Sequence, residues 1–77
     1  MKLNLSRPLA PNTVDVASLE EATVTARAFI KANNLGASEM GEGFGECRLF
    51  DGTLIARVAY NGRVFDRRGI EVILDVD

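Results

Sequence analysis

Along this chain the hydrophobic spacing changes from helical to alternating. Ala17, Leu19, Ala22, Ala26, Phe29 and Ile30 recur at helical spacing, while Glu20, Thr23, Arg27 and Lys31 fall elsewhere on the wheel. Ser18 followed three residues later by Glu21 is a capping-box pattern, in which each side chain satisfies the other's free backbone donor. First-turn glutamates and Lys31 near the end match the helix dipole, and Gly36 supplies a residue suited to left-handed backbone. The spacing predicts a helix over 18–34 with one apolar face to bury.

Beyond position 45 the pattern alternates. Runs at 46–50, 53–60 and 63–66 are separated by Asp51-Gly52 and Asn61-Gly62, pairs that favour two-residue type I′ hairpin turns. Two-residue turns fix a register: Leu49 faces Leu54, Cys47 faces Ala56, Val58 faces Phe65 and Arg57 faces Asp66. Cys47, Leu49, Leu54, Ala56, Val58, Tyr60 and Phe65 then form the face beneath the helix. Glu46, Arg48, Phe50, Thr53, Ile55, Arg57, Ala59, Val64 and Asp66 form the outer face. On that face Glu46, Arg57 and Asp66 line up as a cross-strand charge row.

A turn at Arg67-Arg68-Gly69 leads to a fourth alternating run, 70–76. Near the amino terminus, 3–5 and 14–16 alternate briefly around Pro8 and Pro11, which lack amide donors and belong at the surface or a sheet edge. One of these pieces can pair as a short edge strand. The fold class expected is α+β: a single domain with one helix on a three- to four-stranded antiparallel sheet of tandem hairpins.

Composition bounds the picture. Seventy-seven residues allow one core and leave a thin stability margin, which dimerisation would widen. At 47 % hydrophobic and 26 % charged the chain is globular rather than disordered. It has no apolar run long enough to span a bilayer and no signal-like start, so the expected address is cytoplasmic, without membrane partners. The net charge of −2 argues against a domain that coats nucleic acid. Five arginines against two aspartates give the segment 48–68 a local balance of +3, flanked by acids on both sides.

The missing chemistry is equally informative. Without histidine there is no Ser-His-Asp or Cys-His catalysis and no histidine zinc site, and the carboxylates fall at turns and strand ends. No enzyme activity, cofactor or metal is expected. Cys47 has no disulfide partner and reads as a small buried hydrophobe. Gly41-Glu42-Gly43-Phe44-Gly45 runs from helix to strand, the reverse of a phosphate-binding loop, and its acids repel an anion. It reads as a flexible connection.

Ser18-Leu19-Glu20-Glu21-Ala22, followed by the hairpin Ala56 to Asp66, resembles small uncharacterised proteins of phages and mobile elements. In size and helix-then-hairpins order the chain is similar to some anti-CRISPR proteins. The resemblance implies an inhibitor or regulator that works by binding protein, and it assigns no residue a role.

The leading functional expectation is a non-enzymatic protein-binding domain using Arg48, Phe50, Ile55, Arg57 and Val64, because apolar patches rimmed by arginine suit protein contact. One alternative is nucleic-acid binding with Arg48, Arg57, Arg63, Arg67 and Arg68 on phosphates. The other is a structural homodimer that buries the outer face.

Overall fold

Ser18 starts the helix as its capping pattern predicts. Its hydroxyl oxygen accepts from the Glu21 N–H at 3.1 Å, while Glu21 Oε2 accepts from the Ala17 N–H at 3.1 Å, one residue before the cap. Helix α1 spans Leu19–Asn33 and ends at Asn34, not at Gly36. Asn34 takes the left-handed conformation (φ 52°), and the Leu35 N–H turns back onto the Ile30 carbonyl at 3.0 Å. Asparagine tolerates this conformation better than most residues, so it takes the capping role expected of Gly36 while the helix keeps the expected extent of 18–34.

The buried stripe of α1 is Ala22, Thr23 and Ala26, with Leu19, Phe29 and Ile30 packed beside it; Ala17 is exposed. Thr23 lies inward because its hydroxyl donates to the Leu19 carbonyl at 2.8 Å, so no polar group is left unpaired. The small side chains let the helix backbone approach the sheet closely, chiefly over the fourth strand.

The computed structural model describes residues 1–74; the predicted strand residues Asp75 and Val76, with Asp77, lie outside the described residues. Among the described residues six strands form one antiparallel sheet: β1 Lys2–Asn4, β2 Thr13–Asp15, β3 Glu46–Arg48, β4 Leu54–Val58, β5 Val64–Asp66 and β6 Glu71–Val72, in the order β2-β1-β3-β4-β5-β6. The fold is therefore α+β, with more strands than the three or four expected. Both amino-terminal pieces join the sheet. β2 is the edge, while β1 sits inside, with Leu3 paired to Val14 on one side and to Cys47 on the other. A tight turn at Pro8-Leu9 folds the intervening loop back on itself, with Arg7 and Ala10 exchanging both backbone hydrogen bonds. Leu9 is fully exposed there at φ 63°.

All three carboxy-terminal hairpins close by the same three-residue loop, ending in a positive-φ glycine. Gly52, Gly62 and Gly69 donate to the carbonyls of Leu49, Ala59 and Asp66, each at 2.9 Å. Leu49, Ala59 and Asp66 in turn donate to the carbonyls of Thr53, Arg63 and Ile70. Asp51 and Asn61 keep negative φ and use their side-chain oxygens to accept from the N–H of Thr53 and Arg63 at 2.9 and 3.1 Å. The expected type I′ turns, which need positive φ at both central residues, are thus replaced by longer loops with a glycine bulge.

Each extra loop residue displaces the register by one. In the first hairpin Arg48 faces Leu54, but a β-bulge at Ile55 restores the expected pairing of Cys47 with Ala56. The second hairpin has no such correction. Val58 faces Val64 and Arg57 faces Phe65, so Val64 turns into the core at 2 % exposure and Phe65 turns outward, reversing both expectations. Tyr60 and Leu49 leave the predicted core for the same reason: the loops take them to the rims, 51 % and 41 % exposed. The core consists of Leu3, Leu5, Val16, Ala22, Ala26, Phe44, Cys47, Ala56, Val58 and Val64.

The glycine-rich connection is packed rather than flexible. Gly41 and Gly45 donate to the carbonyls of Ser6 and Asn4 at 2.8 and 2.7 Å, extending the β1 edge, and Phe44 drops into the core 6.0 Å from the Phe29 ring. At Gly45 (φ 83°) a β-carbon would stand 1.9 Å from the Val58 carbonyl oxygen, so only glycine fits.

Candidate functional site

Helix α1 covers one face of the sheet; the other carries two cross-strand rows. Asp15, Lys2, Arg48 and Leu54 follow one another across β2, β1, β3 and β4, and Glu46, Arg57, Phe65 and Glu71 across β3 to β6. Three cations and three carboxylates share these rows, so the face has polar variety without a dominant sign.

The side chains on it are unequally free. Lys2 pairs with Asp15, and that ammonium, by hydrogen bond and charge, holds the Asp15 carboxyl below its ordinary range. Arg48 is committed internally: Nε and Nη2 reach Glu46 Oε1 at 3.4 and 3.2 Å, and Nη1 donates to the Gly52 carbonyl at 2.8 Å. It braces the β3–β4 turn. At that turn Phe50 is 81 % exposed, with the Lys2 ammonium 5.7 Å from its ring centre. Hydrogen bonds from the Thr53 side chain, then its backbone, lower the Asp51 carboxyl. Arg57 is exposed and has no ion-pair partner among the described residues; the expected charge row breaks because Phe65, not Asp66, stands opposite it. Asp66 instead accepts from the N–H groups of Arg68 and Ile70 at 2.8 and 3.0 Å, closing its own turn.

Of the five residues expected to bind a partner, Phe50 and Arg57 are open on or beside the outer face, and Arg48 lies on it but is engaged. Ile55 packs against the core at its bulge, and Val64 is buried beneath the helix. Phe65 belongs to this face, opposite Arg57, because the three-residue loop turns it away from the core that a two-residue turn predicts for it. The five arginines of the nucleic-acid alternative do not converge on one free patch: Arg63 lies at the β4–β5 end, Arg67 and Arg68 at the opposite end, where Arg48 is tied to Glu46 and the β3–β4 turn, and Arg57 stands between them opposite Glu46.

Two clefts meet at Tyr60. One, about 470 Å³, lies between the glycine-rich connection and β4 and is lined by Met40, Phe44, Glu46 and Arg57 among others. The second, about 300 Å³, lies between α1 and the β4–β5 turn. Both are rim features that the sequence pattern does not mark, because each joins segments distant along the chain. Cys47 lies in neither: burial pushes its thiol up to about 11, which favours the protonated form. Among the described residues no three His, Cys, Asp or Glu side chains gather as metal ligands do, and no helix is long and apolar enough to cross a membrane.

No protein-family model, curated protein or solved structure matches this chain.

Proposed function

We propose that this chain is a non-enzymatic protein-binding domain, an inhibitor or regulator of the kind mobile elements encode, that docks its uncovered sheet face on a protein partner. The observation supporting this reading is the composition of that face. Arg57 and Phe65 stand side by side on adjacent strands, Phe50 projects at one corner, and the three acids balance the three bases only across the two rows together. Aromatic and arginine side chains within a mixed polar rim are what protein interfaces concentrate. A nucleic-acid surface needs an excess of cations in one place, and here the five candidate arginines are divided between two ends and a neutral face.

The test is affinity purification from the native host with the wild-type chain and the double variant Phe50→Ala, Arg57→Glu, checking by circular dichroism that both are folded. The expected result is a protein captured by the wild type, lost with the double variant and retained by a control carrying Arg67→Ala, Arg68→Ala. Equal capture by the double variant would remove the face from consideration. Light scattering across a dilution series separates the homodimer alternative: a dimer abolished by the same two substitutions would make the partner a second copy.

A further inference from the structure

The 300 Å³ cleft between α1 and the β4–β5 turn is lined by Arg27, Lys31 and Arg63, together with Ile30, Tyr60, Asn61 and Gly62. Among the described residues no carboxylate lines it, and none of its three cations has an ion-pair partner. The net charge of the chain is negative, so three cations facing one small space are a local departure from the rest of the surface.

Arg27 is held in place. Its Nε donates to the Gly62 carbonyl at 2.9 Å, and its aliphatic stem lies where a β-carbon on Gly62 would stand 3.5 Å from Cγ. The turn glycine thus has two duties: it supplies φ 85° for the loop and leaves room for the arginine. With Nε engaged, the two terminal guanidinium nitrogens have no hydrogen-bond partner among the described residues, and a guanidinium fixed on one side is preorganised for an oxyanion on the other.

From this geometry we infer that the cleft binds a phosphate dianion, as the free ion or as the terminal phosphomonoester of a small molecule. Charge decides between anions. Three cations suit a dianion better than the single charge of a carboxylate or a phosphodiester. The carboxy-terminal end of α1 opposes an anion, but it carries only about half an elementary charge, and its effect is confined to the last turn. Arg27 lies more than a turn and a half before that end, and Lys31, which is in the last turn, sets a full positive charge against it. The site is separate from the sheet face, so either assignment can fail without the other.

The experiment is a nuclear magnetic resonance titration of the isotope-labelled full chain with glycerol 3-phosphate, inorganic phosphate and dimethyl phosphate at constant ionic strength. Saturable shifts are expected at the amides of Asn61, Gly62 and Arg63 and at the Arg27 Nε–H, with dimethyl phosphate much weaker. Arg27→Gln should weaken binding about tenfold or more, the size expected for losing a charge-assisted hydrogen bond. Lys31→Gln and Arg63→Gln, at exposed positions, should weaken it without touching the fold, and Arg67→Gln with Arg68→Gln should not. Affinity for glycerol 3-phosphate should fall as pH drops through about 6, where the phosphomonoester dianion is protonated to the monoanion. Equal binding of the two dianions makes free phosphate sufficient, and tighter glycerol 3-phosphate assigns the ester. Unsaturable shifts, equal binding of dimethyl phosphate, or indifference to Lys31→Gln and Arg63→Gln would overturn the inference.

Discussion

Adding one oxygen at each of two adjacent residues tests the register of the second hairpin. Val64→Thr preserves the shape of the side chain and places a hydroxyl at a site only 2 % exposed, facing Val58 at 0 %. A buried hydroxyl without a partner costs about 1–3 kcal/mol by mutational measurement. For a domain of this size 1 kcal/mol lowers Tm by about 4–8 °C, so Val64→Thr should lose roughly 4–24 °C. Phe65→Tyr adds its hydroxyl on the uncovered face, at a half-buried residue opposite Arg57, and should stay within about 0.5 kcal/mol of wild type. Urea and thermal unfolding followed by far-ultraviolet circular dichroism measure both. A two-residue turn at Asn61-Gly62 would reverse the order. If Phe65→Tyr proved the costlier change, the loop length, the inward placement of Val64 and the composition of the outer face would all be wrong together.

Two further predictions concern single positions. Gly45→Ala should abolish cooperative unfolding, because its β-carbon would overlap the Val58 carbonyl at 1.9 Å, whereas Gly52→Ala meets nothing within 4 Å and should cost only the left-handed backbone term of about 1–2 kcal/mol. Comparable losses for both in the same denaturation assay would refute that distinction. Cys47 should react with a thiol reagent at pH 8 only as fast as the chain opens, so the rate should rise with urea. Because its folded pKa is raised to about 11 from an ordinary value of 9.0, the folded state holds the proton longer than the unfolded state. Its contribution to stability is complete below about pH 9 and lost as pH rises toward 11, a loss that Cys47→Ala should remove from the alkaline limb of the pH–stability curve.

The helix was legible because its signals are local: Ser18, Glu21 and the apolar spacing lie within one segment and need no distant partner. The hairpins were legible in position but not in loop length. Asp-Gly and Asn-Gly suit a two-residue turn with both residues at positive φ, and equally a three-residue loop with positive φ at glycine alone. What separates them is whether Phe50 and Tyr60 belong to strand or turn. The sequence itself held a hint: Arg67-Arg68-Gly69 reads as three residues, and the other two loops have that same length. The interior place of β1 carried no local mark, since its pairing with β3 joins residues more than forty positions apart.

The three-residue loops also decide which aromatic rings stand in the open. The chain has five aromatic residues, and only Phe44 is buried; Phe29 and Phe65 are half-buried, while Phe50 and Tyr60 are exposed at opposite rims. Burying a phenylalanine contributes about 1.5–3 kcal/mol, a large share for a domain whose total stability is of the order of 5–15 kcal/mol. This core is filled instead by alanine, valine, leucine and a cysteine; the three-residue loops lift Tyr60 out of it and hold Phe50 at the other rim. Both stand by cations, Phe50 beneath the Lys2 ammonium and Tyr60 in the cleft with Arg27, Lys31 and Arg63. A fold that forgoes aromatic burial at two rims while keeping charge beside each ring gives up stability where recognition would use it. The two rims therefore make separate demands on experiment, protein capture for Phe50 and phosphate binding for Tyr60.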